Sequence, residues 1–187
     1  MAQDAHFSRS STTHRRAFLK AGAGWALAGA AGMAALPARA NDLKLGQAAP
    51  PLVLNTLDGR AIATRDLKGQ VVVATFWATW CAPCREELPL LSDFAERHAA
   101  RGLQVLGFSL DGADQLPKVR AVAAKLSFPV GLVPSPWVGG YGRIWRLPVS
   151  FVIDREGRLA YNGWDAEDPV WNKEELQRVV EPLLAGK

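Results

Sequence analysis

Cys81 and Cys84 are the only two cysteines in this 187-residue chain, and they stand two residues apart beside a tryptophan, in Trp80-Cys81-Ala82-Pro83-Cys84. Thiols separated by one turn of helix can close into a small disulfide and reopen, which suits electron exchange better than stapling distant segments. The chemistry on offer is dithiol/disulfide redox, with metal binding as the competing use. A closed zinc site wants four ligands, and beyond residue 40 the chain supplies only these two cysteines and His98. Zinc is therefore set aside for a monomer. A dithiol acting as a soft Cu(I) ligand pair is the non-enzymatic alternative.

The elements that must position this pair can be read on either side of it. Val71-Val72-Val73-Ala74-Thr75-Phe76-Trp77 is a continuous β-branched and apolar run, the pattern of a central strand covered on both faces. It leads directly to the cysteines. From Cys81 to about Ala100 the pattern is helical, with Leu88, Leu91, Phe94 and Ala95 at three- and four-residue spacings, and Pro89 predicts a kink over residues 85–89. Upstream, Pro50 to Thr64 reads as a hairpin around Asp58-Gly59. Downstream, strands are expected at residues 103–110, 128–132, 148–153 and 158–162, and helices at 116–126 and 172–184. Strands alternating with helices indicate one α/β layered domain over residues 41–187.

Residues 1–40 read differently. His14-Arg15-Arg16-Ala17-Phe18-Leu19-Lys20, an Ala/Gly-rich run to Leu36, and Ala38-Arg39-Ala40 form the pattern of an export signal. It resembles a twin-arginine leader cleaved after Ala40, although His14 stands where Ser or Thr is usual. An uncleaved anchor is the alternative, but a membrane span wants about 20 strongly apolar residues and this run is short and ended by Pro37. The leader also explains the net charge of +4: five of the 22 Lys/Arg and one of the 18 Asp/Glu fall in it, leaving 17 of each beyond. A formally neutral domain without a basic, aromatic-interleaved patch argues against nucleic-acid binding. Export to an oxidising periplasm makes the thiols' redox state part of any mechanism.

The stretch from Thr75 to Pro89, with Leu147-Pro148-Val149-Ser150-Phe151-Val152-Ile153-Asp154 and Gly157 downstream, resembles thioredoxin-like proteins of the TlpA/ResA type. The resemblance implies a thioredoxin-like fold, with a central mixed sheet flanked by helices and an N-terminal β-hairpin extension. In such a fold Cys81 lies at a strand-to-helix turn, where the free amides of the helix stabilise a thiolate, and it is the expected nucleophile. Cys84, one turn inside, resolves the mixed disulfide. Pro83 suits the first helical turn. The family implies proton transfer by Glu87 and a cis-proline at Pro148, with Leu147 and Val149 flanking a groove for substrate and Trp80 as an exposed apolar platform. Trp77 is expected in the core, and Trp137 and Trp145 are candidates for the groove wall. Cytosolic thioredoxins carry a buried aspartate six residues before the nucleophile; here that residue is Thr75, so the proton carrier is Glu87 or water.

The expected function is a periplasmic thiol-disulfide oxidoreductase, which the resemblance implies is a reductase of the cytochrome c maturation or copper-site assembly type. Its partners are then periplasmic protein thiols and disulfides and a membrane thiol electron donor. No cofactor beyond the Cys81–Cys84 disulfide is expected. A disulfide oxidase would use the same residues in reverse. A thiol peroxidase normally needs a threonine and a proline at positions occupied here by Ala78 and Ala74.

Overall fold

The computed structural model describes residues 43–186; the leader and its cleavage site fall outside them. Strands β1 (Val53–Asn55) and β2 (Ala61–Ala63) pair antiparallel as the expected hairpin. Then follow β3 (Val71–Trp77), helix α1 (Ala82–His98), β4 (Leu103–Ser109), α2 (Leu116–Ala123) and β5 (Val130–Leu132). The chain closes with β6 (Val149–Ile153), β7 (Leu159–Asn162), α3 (Lys173–Val179) and α4 (Glu181–Ala185). Strands β3 to β7 form one sheet in the order β5-β4-β3-β6-β7, with β4 parallel to β3 and β5, and β6 antiparallel to β3 and β7. This is the mixed sheet the sequence implies.

Every residue of β3 is buried, as its unbroken apolar run requires. Alternate side chains serve two cores. Val71, Val73 and Trp77 join Leu88, Leu91 and Phe94 of α1, Val119 of α2, and Leu176 and Leu184 of the C-terminal helices. Val72, Ala74 and Phe76 join Leu54 of the hairpin, Tyr141, Ile144 and Phe151. The hairpin reaches the sheet where Thr56 bridges to Gly131, and a Cβ at Gly131 would run into the carbonyl of Asn55. That close approach is why glycine occupies the edge strand there.

Helix α1 falls where it is expected, and one helical expectation is modified. Helix α1 continues through Pro89 to His98; Arg85 and Pro89 are both exposed, so water can satisfy the Arg85 carbonyl that proline leaves without a donor. The single helix expected over 172–184 is divided into α3 and α4 at Val180, with Pro182 in the first turn of the second. Proline lacks the N–H that would continue the ladder, and it fits where a helix begins.

Candidate active site

The parallel pairing of β3 with β4 sets Trp77 beside Ser109, and the antiparallel pairing with β6 sets Phe76 beside Val149. The segments 78–81, 110–112 and 147–148 consequently emerge at one end of the sheet. The first delivers Cys81 to the N-cap of α1, where its sulfur accepts the Cys84 N–H at 3.2 Å. Pro83 occupies the first helical turn, as expected. Cys81 and Cys84 are joined in a disulfide with an S–S distance of 2.07 Å. Cys84 has no exposed surface and Cys81 retains 6%, whereas Trp80 is 68% exposed. Pro83 is also exposed. The disulfide therefore presents its Cys81 side beside an indole that has little else to cover it.

Three residues beyond Cys84, one helical turn along α1, Glu87 is buried to 1% exposure. Its Oε2 accepts the main-chain N–H of Trp171 at 2.9 Å and its Oε1 accepts the Thr75 hydroxyl at 3.3 Å. Burial pushes its carboxyl up to about 8 from an ordinary value of 4.5; the Trp171 and Thr75 donors pull it down, and the charges of Asp168 and Glu175 push it up. Burial thus favours the protonated form of Glu87. Glu86, on the next residue, is exposed, in agreement with the helical spacing.

The Leu147–Pro148 peptide bond is cis. Pro148 is buried at the start of β6, and Leu147 is half-buried, packed against both cores, one of which contains the two cysteines. Val149 is placed differently from a groove-lining residue: its side chain is fully buried in the second core with Phe76 and Phe151. Strand alternation turns it to the face away from the cysteines, so only its backbone can meet a partner. Trp77 is fully buried, as expected. Trp145 and Trp137 are exposed and line one cleft with Trp164 and Arg143. Trp145 stacks on Trp164 at 5.6 Å, and the Arg146 guanidinium lies 5.5 Å from the Trp145 ring centre.

Sequence reasoning did not find the partners of Glu87. Thr75 is conspicuous in the sequence only as the place where an aspartate is missing, and nothing local to Trp171 marks its main-chain N–H as a partner. Sequence reasoning also passed over Asp111, a buried carboxylate just beyond β4 that accepts from Thr79 N at 2.8 Å, Thr79 Oγ1 at 2.6 Å and Ser109 Oγ at 2.7 Å. The available signal was the Ser109-Leu110-Asp111 run at the end of a strand that points the same way as the one bearing the cysteines.

Residues 45–162 match the family model described as AhpC/TSA family. The chain is 32% identical over 117 residues to "Thiol-disulfide oxidoreductase ResA" of Bacillus thuringiensis (strain Al Hakam), which covers 63% of this chain and 68% of that protein. It is 34% identical over 115 residues to "Thioredoxin-like protein YneN" of Bacillus subtilis (strain 168), over 60% of this chain and 66% of that one. Among solved structures, a thiol:disulfide interchange protein of the thioredoxin family from Chlorobium tepidum TLS superposes with a TM-score of 0.61 at 28% identity, covering 76% of this chain and 99% of that one. The thioredoxin-like fold is thereby established.

Proposed function

This chain belongs to the AhpC/TSA family and is a thiol-disulfide oxidoreductase of the ResA type; from its site we propose that it works in the periplasm as a reductase of partner-protein disulfides. The observation that carries the reading is the pairing of a solvent-side Cys81, flanked by exposed Trp80, with a sealed Cys84 and, one helical turn further on, the buried carboxyl of Glu87. One sulfur can be attacked from outside. The other can be discharged only inwards.

The reaction follows from that asymmetry. A donor thiolate attacks the Cys81 sulfur, the Cys81–Cys84 bond breaks, and Cys84 leaves as a thiolate inside the protein. A buried thiolate is costly, and the Glu87 carboxyl can supply its proton. A second donor thiol completes the release of Cys81, so two electrons enter the pair. In the forward half, the Cys81 thiolate attacks a partner's disulfide and displaces one partner thiolate. Glu87, now a carboxylate, takes the proton back from Cys84, whose sulfur attacks Cys81 in the mixed disulfide. The partner leaves fully reduced and the disulfide is restored.

The twin-arginine-like leader supports the periplasmic setting, and an oxidising compartment requires an external electron donor, for which a membrane thiol carrier is the natural class. Cytochrome c maturation and copper-site assembly are the partner systems this reading implies. A Cys84→Ser variant tests it: reduced and mixed with a disulfide-bearing protein, it should accumulate a mixed disulfide through Cys81, visible on a non-reducing gel. Accumulation through Cys84 in the reciprocal Cys81→Ser variant, and none through Cys81, would overturn the assignment.

A further inference from the structure

Asp111 is buried to 3% exposure and, among the described residues, accepts three hydrogen bonds, all from uncharged donors. Two come from one residue. Thr79 gives its main-chain N–H to Oδ2 at 2.8 Å and its hydroxyl to Oδ1 at 2.6 Å, while Ser109 gives its hydroxyl to Oδ2 at 2.7 Å and receives the Asp111 N–H at 3.2 Å. A buried carboxylate without a cation is costly unless its oxygens are fully engaged. Such an arrangement is therefore built into the fold rather than a passing surface contact.

Its location gives it a use. Thr79 and Trp80 are the central residues of a turn closed by Cys81 N–H to the Ala78 carbonyl at 3.1 Å. That turn determines where Cys81 meets the first amides of α1. On the other side Ser109 is anchored in β4 opposite Trp77, and Leu110 N–H bonds the Trp77 carbonyl at 2.9 Å. Asp111 thus ties the turn between β3 and α1 to the end of a neighbouring strand. We propose that Asp111, acting through Thr79, is a positioning residue that holds Cys81 at the helix N-cap so that its thiolate is stabilised there. The proposal rests on Cys81 being the nucleophile.

The grip of Asp111 and its charge act on Cys81 separately. Oδ2 faces two donors, one of them the fixed Thr79 N–H, whereas Oδ1 faces only the Thr79 hydroxyl, which can also accept, so an asparagine can retain the grip while losing the charge. A charge-based role would act in the opposite sense. A nearby anion disfavours a thiolate, so removing Asp111's charge would make Cys81 more reactive, whereas removing its grip would make Cys81 less reactive.

The experiment measures alkylation of Cys81 in the full chain carrying Cys84→Ser, across a pH series, with thermal melts as a folding check. Thr79→Val keeps the charge and deletes the hydroxyl donor. We expect it to slow alkylation by about threefold on the acid side of the profile, consistent with loss of one hydrogen bond, and Thr79→Ser to restore the rate. Asp111→Ala, which deletes all three acceptor contacts, should also slow it. Unchanged rates in Thr79→Val, or a faster rate in Asp111→Ala, would overturn the clamp while leaving Cys81 as nucleophile. Alkylation of the wild-type dithiol mapped to Cys84 instead would overturn the nucleophile and the clamp together.

Discussion

The main-chain N–H of Trp171 donates to Glu87 Oε2 at 2.9 Å, joining two residues 84 positions apart inside a core that admits neither to solvent. An amide is a fixed donor. It stabilises the carboxylate without a counter-charge, so Glu87 can lose its proton in place, while burial favours the protonated form.

Glu87 makes stability depend on pH in a direction opposite to that of a salt-bridged acid. Its carboxyl stands at about 8 in the folded protein against 4.5 ordinarily. Its favourable contribution is fully present below about 4.5 and is lost as pH rises through about 8, because over that window unfolding releases a proton. Melting temperature should therefore fall across this range relative to Glu87→Gln, which stays neutral. Parallel curves for the two proteins would contradict a buried, protonated Glu87.

The Thr75 hydroxyl lowers the Glu87 carboxyl. Thr75→Val keeps the shape and removes the donor, so the Glu87 titration should move further up. The measurement is the carboxyl band followed by infrared spectroscopy against pH, with Glu87→Gln as the blank. A titration that stayed put or moved down would show that Thr75 does not bond the carboxylate.

Much of this site was legible because it is local. The Cys81–Cys84 spacing, the all-buried β3 run and the separation of Glu87 from Glu86 depend only on helical and strand periodicity. Thr75 and Trp171 were opaque as partners because they meet Glu87 from another strand and from the segment before α3. Asp111 matters only once Ser109 is known to pair with Trp77. Val149 was misplaced for the opposite reason: nearness in sequence to Pro148 suggested the groove, and the two-residue alternation of β6 turned it inward. The split between α3 and α4 was written in Pro182.

Trp80 is the largest exposed group next to the nucleophile, at 68% exposure. Trp80→Ala should leave the melting temperature nearly unchanged, within about 0.5 kcal/mol of stability. It should raise KM for a protein disulfide severalfold while kcat changes little, the pattern of lost substrate contact. An unchanged KM would remove Trp80 from the docking surface.

The direction of electron flow is the claim on which the proposed function turns, and the equilibrium between the Cys81–Cys84 disulfide and a dithiothreitol or glutathione buffer measures it directly. A reduction potential near or below thioredoxin's, about −270 mV, is the predicted result. A value near that of the strong periplasmic oxidants, about −120 mV, would contradict it and make the protein an oxidase built from the same residues.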